Sequence, residues 1–173
     1  MDEEEWVNHL REVLDNCSVN KPLHIIGYGN TLRQDDGVGI YIVFNLMEKI
    51  SKKPKYVYIH PTSKNIEYIL KKISKNSLII ICDAVKIDAE PGTVVFTEFK
   101  NLKYDFLDTH NISLSFILEK SSIIENSYLL GIVPQNVDIG EELTPIVKNS
   151  ADKVIRRLTE LIEKKTYMGL DKV

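Results

Sequence analysis

Apolar positions along the chain fall into two alternating rhythms. Trp6, Leu10, Val13 and Cys17, with Val7 and Leu14 beside them, return at helical spacing and predict a helix over 2–17. Asp2 to Glu5 place acidic side chains at its positive end, and Asn20-Lys21-Pro22 breaks it. Leu23 to Ile26 is a short apolar run closed by Gly27, expected as a buried strand. A polar stretch leads to Asp35-Asp36-Gly37, and a second helix runs to about Lys49 with Ile40, Val43, Phe44 and Met47 on its face. Tyr56 to Ile59 reads as a strand, and 65–73 as a short helix that aligns Ile66, Ile69, Leu70 and Ile73. Leu78 to Cys82 is uninterrupted apolar sequence ending at Asp83, the pattern of a central parallel strand buried on both faces. Pro91-Gly92 turns the chain into a strand over Thr93 to Phe96, expected to be antiparallel because no helix separates it from the strand before. Residues 101–109 are irregular, a helix follows His110, and Tyr128 to Val133 is the last strand. Val147, Ala151, Val154, Ile155, Leu158, Leu161 and Ile162 then keep the helical repeat to the end of the final helix.

Strand and helix alternate almost throughout, which predicts an α/β fold: a three-layer α/β/α domain with a twisted, mostly parallel sheet. The 173 residues fit a single domain, 1–173, with enough core to need no disulfide or metal staple. A net charge of −3 gives no bulk reason to expect a nucleic-acid partner. The lysines at 52, 53 and 55 and at 71, 72 and 75 read as solvated faces. Cys17 and Cys82 form no Cys-x-x-Cys pair, so a zinc knuckle or thioredoxin-like site is unsupported. The acidic start is unlike a signal peptide, and no apolar stretch approaches the roughly 20 residues needed to cross a bilayer. A cytoplasmic protein with reduced thiols and no membrane partner is expected.

Ligands of open α/β sheets bind beyond the carboxyl ends of the strands. Three polar features fall there: the loop from Gly27 to Gly39, Asp83 and His110. The loop's Gly-x-Gly invites a dinucleotide reading, which fails because position 32 is leucine and Asp35-Asp36 would repel a pyrophosphate. No Gly-Lys-Ser/Thr phosphate loop occurs. Asp35 and Asp36 precede a helix, so capping accounts for one of the two carboxylates. Asp83 is different, because a charge at the end of a buried strand is costly without a partner. If strand order brings these loops to one edge, Asp36, Asp83 and His110 offer two carboxylates and an imidazole, a plausible incomplete shell for a divalent transition metal.

Gly27-Tyr28-Gly29-Asn30-Thr31-Leu32-Arg33-Gln34-Asp35-Asp36-Gly37-Val38-Gly39 resembles the signature of the [NiFe] hydrogenase maturation proteases. Leu78 to Ala84 resembles that family's apolar strand ending in Asp-Ala, and Thr109-His110-Asn111 its histidine segment. Gly131-Ile132-Val133-Pro134-Gln135, with Gly140 and Leu143-Thr144-Pro145, resembles its C-terminal pattern. The resemblance runs from about residue 23 to 162, leaving residues 1–20 as a helical extension. It departs after the second strand, where Lys64 replaces an acid of the family's Pro-Glu-Asn segment.

The resemblance implies a twisted sheet of the maturation-protease or phosphorylase/hydrolase-like type. It implies an endopeptidase that trims the C-terminal extension of an immature [NiFe] hydrogenase large subunit after nickel insertion. The Thr-His-Asn form points to the hydrogenase 3 (formate hydrogenlyase) type; the alternative is a maturation protease for a coenzyme F420-reducing or other archaeal hydrogenase. Asp36, Asp83 and His110 take the family's metal-contacting and catalytic positions, facing nickel supplied by the substrate. A metal-polarised carbonyl, a metal-activated water and a carboxylate general base all remain open, so the hydrolase is of aspartic or metal-dependent type. A monomer is expected. The competing readings are a non-cleaving, nickel-checking assembly factor and another α/β hydrolase, such as a spore-type endopeptidase relative.

Overall fold

The computed structural model describes residues 3–61, 66–102 and 109–170, apart from the side chains of residues 109–113 and 167–170. The elements are α1 (Glu3–Asp15), β1 (Leu23–Gly27), α2 (Val38–Lys49), β2 (Val57–Pro61), α3 (Ile66–Lys72), β3 (Leu78–Ala84), β4 (Val94–Glu98), α4 (Thr109–Lys120), β5 (Ser127–Ile132) and α5 (Pro145–Leu170). The sheet order is β2-β1-β3-β5-β4. The first four of these strands are parallel neighbours, and β4 joins β5 antiparallel, as expected from the missing crossover helix.

The central strand explains the three layers. All of β3 is buried. Its side chains alternate between faces. Leu78, Ile80, Cys82 and Ala84 join the cluster beneath α1, α2 and α5, whereas Ile79 and Ile81 join the cluster beneath α3 and α4. An apolar run without polar interruption is what this double burial requires. The predicted N-terminal helix is an integral part of the first layer: Trp6, Leu10 and Leu14 are core residues, and the Glu3 carboxylate accepts from Arg157 of α5 at 2.8 Å.

α2 departs from the expected phase. Its core face is Val38, Ile42, Val43 and Leu46, while Phe44 and Met47 point outward and Ile40 is half-buried. Apolar residues on both sides of the helix make its inward face ambiguous from spacing alone. The segment 62–65, which holds Lys64, lies outside the described residues.

On the parallel pair β1–β2, His24 Nδ1 lies 3.0 Å from His60 Nε2. The ring centroids are 5.2 Å apart and the planes differ by 9°. These values place the two nitrogens almost on the line between ring centres, an in-plane hydrogen bond in which one imidazole donates and the other accepts. Burial, and then the neighbouring His60, lower the His24 pKa from 6.5 to about 4, and burial lowers that of His60. The unfolded chain therefore binds more protons than the folded one below about pH 6.5. Stability is expected to be full above pH 6.5 and to fall as pH drops towards 4. Melting temperature against pH should show this decline, and His24→Gln should flatten it; an equal slope in the variant would contradict the assignment.

Candidate active site

The site is assembled where β1 and β3 end side by side, with Gly27 in register with Cys82. The Tyr28 N–H donates to the Cys82 carbonyl at 2.9 Å, which carries the pairing one residue past β1. The start of α2 is laid directly on this backbone. A Cβ at Gly39 would sit 1.9 Å from the Cys82 carbonyl oxygen and 2.3 Å from that of Tyr28, so only glycine permits the approach.

Gly29 has φ +126°, a conformation that favours glycine. The Asn30 N–H donates to the Asp36 carbonyl at 3.1 Å, and Asn30 Oδ1 accepts from the Leu32 N–H at 3.0 Å, folding the loop back on itself. A Cβ on Gly29 would stand 1.9 Å from the Asp36 carbonyl oxygen and 3.5 Å from Asp83 Oδ1. Gly29 thus runs tightly against the Asp36 backbone, and a side chain at this position would reach the Asp83 carboxylate. Asp83 is buried, and its Oδ1 accepts the Ala84 N–H at 2.8 Å. Strand alternation sets it on the α3/α4 side, after Ile79 and Ile81.

Asp35 does something that spacing did not reveal. Neither carboxylate caps the short 3₁₀ turn Gln34–Gly37 or α2 through its side chain, contrary to the capping expected from the sequence. Asp35, fully buried, instead accepts four hydrogen bonds from about one hundred residues downstream. Oδ2 accepts from the Gln135 and Asn136 N–H groups at 2.9 Å each and from Thr144 Oγ1 at 2.9 Å; Oδ1 accepts from the Thr144 N–H at 2.7 Å. Backbone pairs reinforce the clamp: Gln34 N–H to Gly140 carbonyl at 2.8 Å, and Gly140 N–H to Leu32 carbonyl at 3.0 Å. Gln34, at φ +44°, is held in the left-handed region between them. The Asp35-Asp36 doublet is therefore split. Asp35 fastens the loop, and Asp36 is left partly exposed. The available signal was the doublet read together with Thr144-Pro145 at the start of α5.

His110 falls within the first turn of α4, which begins at Thr109, two residues before the helix expected to follow His110; its side chain lies outside the described residues. The structure places the Asp36 backbone and the Asp83 carboxylate on the two sides of Gly29. Among the described residues, a set without the His110 side chain, no group of three His, Cys, Asp or Glu is arranged to hold a metal ion. Both thiols are buried. Burial, and then the adjacent Asp83 charge, push the Cys82 thiol up beyond the thiolate range, and burial raises Cys17, so neither is a ready nucleophile.

The Gly29 geometry makes a sharp prediction. A methyl group there clashes with the Asp36 carbonyl and disfavours φ +126°, so Gly29→Ala must displace the loop. A displacement of about 1 Å costs on the order of 100-fold in rate. Turnover by Gly29→Ala should fall by at least that factor, and a wild-type rate would contradict the geometry.

A model of the hydrogenase maturation protease family matches residues 40–161, beginning just past Asp36 and including Asp83 and His110. A Methanocaldococcus jannaschii protein named as a hydrogenase maturation protease is 35% identical, covering 89% of this chain and 94% of that one. Among solved structures, the [NiFe] hydrogenase maturation protease HycI from Thermococcus kodakarensis superposes with a TM-score of 0.72 at 24% identity, covering 90% of this chain and 99% of that one. The hydrogenase maturating endopeptidase HybD from E. coli gives 0.69 at 21% identity, covering 83% and 93%. These structures share the five-stranded α/β fold described above. With a family model spanning most of its length and a relative aligned nearly end to end, this chain belongs to the hydrogenase maturation protease family.

Proposed function

We propose that the chain is an endopeptidase that removes the C-terminal extension of a [NiFe] hydrogenase large-subunit precursor once nickel has been inserted. The observation that supports this reading is the tight packing at Gly29, where an added Cβ would meet both the Asp36 carbonyl and the Asp83 carboxylate at the carboxyl edge of the sheet. Asp36, Asp83 and His110 provide two carboxylate donors and an imidazole, a set that suits a divalent transition metal and leaves positions for the ligands the precursor already supplies. Nickel thus enters as part of the substrate. In this reading Asp36, Asp83 and His110 orient the loaded centre and so place the scissile bond against the edge of the sheet. A metal-polarised carbonyl or metal-activated water and a carboxylate general base are the two routes to hydrolysis. Among the described residues no helix is long and apolar enough to cross a membrane.

The test is incubation of the purified chain with nickel-loaded precursor, followed by intact-mass measurement. Loss of the C-terminal peptide supports the endopeptidase; stable binding without any loss of mass would make the chain a non-cleaving assembly factor instead.

A further inference from the structure

The outward side of α2 is apolar where a surface helix is ordinarily polar. Its core stripe is already satisfied by Val38, Ile42, Val43 and Leu46. Ile40, Phe44 and Met47, spaced by four and three residues, form a second stripe, with Phe44 57% and Met47 47% exposed. At the upper end of that stripe a cleft of about 390 Å³ opens between α2 and the Glu141–Lys148 segment. Ile40, Tyr41, Phe44 and Leu143 line it, and Gln34 and Gly37, which bracket Asp35-Asp36, join it to the candidate active site. Leu32 and Ile139, 61% and 92% exposed, add apolar side chains on the bonded pair of loops. Four of the nine large hydrophobic side chains exposed among the described residues (Leu32, Phe44, Met47 and Ile139) thus lie on α2, the Asp36 loop or the segment clamped to it. Such a concentration beside a catalytic loop marks a contact surface for another chain.

Charge narrows the partner. Glu141 and Glu142 stand at the cleft with Lys148, and Asp152, whose Oδ1 accepts from the Tyr41 hydroxyl at 3.0 Å, adds a third carboxylate against one ammonium. Neither glutamate has an ion-pair partner among the described residues. We propose that the cleft and the α2 stripe dock an extended segment of the precursor. The segment carries a large apolar side chain, seated between Ile40, Phe44 and Leu143, and a neighbouring lysine or arginine facing Glu141 and Glu142. This rests on the endopeptidase reading and adds to it where, and by what chemistry, the substrate chain is gripped away from the cleaving residues.

The experiment is fluorescence anisotropy of labelled, nickel-loaded large-subunit precursor titrated with the full chain, alongside mass analysis of cleavage. Phe44→Ser should raise Kd about tenfold, as loss of a central aromatic contact does. Glu141→Gln/Glu142→Gln should raise it a few-fold and flatten its dependence on salt. Phe116→Ser, an exposed aromatic on α4, should leave Kd unchanged. Phe44 and both glutamates are exposed, so folding should persist, which melting curves check. Wild-type Kd in both the Phe44 and the glutamate variants, with cleavage intact, would overturn the docking surface and leave the endopeptidase reading standing. Conversion of a dimer to a monomer by Phe44→Ser at unchanged Kd would overturn it in favour of a contact between copies. Neither binding nor cleavage by the wild type would remove both readings.

Discussion

Asp83→Asn is expected to lower precursor processing by roughly 10³-fold or more while the protein stays folded. The variant keeps the volume of the side chain, and its amide oxygen can still accept the Ala84 N–H that Asp83 Oδ1 accepts at 2.8 Å. What it loses is the negative charge, the basicity and half of the acceptor capacity. A carboxylate acting as general base contributes about 10²–10⁴-fold through those properties. His110→Ala should do the same by removing the imidazole. The check is the rate of C-terminal peptide release beside a melting curve. Wild-type processing by both variants would refute the site.

The largest effect on stability is expected at Asp35. Asp35→Ala removes the acceptor of four hydrogen bonds and strands the N–H groups of Gln135, Asn136 and Thr144. Hydrogen bonds to a charged group are worth about 1.5–3 kcal/mol each, and buried donors left unpaired add their own desolvation cost. Because the four share one carboxylate they do not add independently, and a net loss of about 3–5 kcal/mol is expected from urea unfolding. Asp35→Asn keeps the shape but accepts through one oxygen only, so it should fall between. Processing should drop in both variants, since the Asp36 loop is fastened through this clamp. A loss below about 1 kcal/mol in Asp35→Ala would show that the backbone pairs around Gly140 hold the loop without it.

The fold was legible wherever burial was complete. Leu78 to Cys82 could be placed at the centre of the sheet because a strand covered on both faces has no polar position to confuse the pattern. α5 was legible because Val147, Ala151, Val154, Ile155, Leu158 and Ile162 mark one buried face without competition from the other. α2 was misphased for the opposite reason: Ile40, Phe44 and Met47 satisfy the helical repeat as well as the core residues do, and periodicity cannot tell which stripe faces inward. Adjacent acids are equivalent to any local rule, so the separate duties of Asp35 and Asp36 emerge only from contacts with residues 135–144. The His24–His60 bond escaped notice for the same reason, since strand pairing across 36 residues decides it. Asp83 is conspicuous in the sequence because a charged residue ending an apolar strand calls for a partner, and the Ala84 N–H is one.

The central claim is that Asp36, Asp83 and His110 read nickel carried by the substrate. It is tested most directly by incubating the wild-type chain with the same precursor in nickel-loaded and nickel-free form and following release of the C-terminal peptide by mass spectrometry. Release from the loaded precursor alone is predicted; equal release from both forms would contradict it.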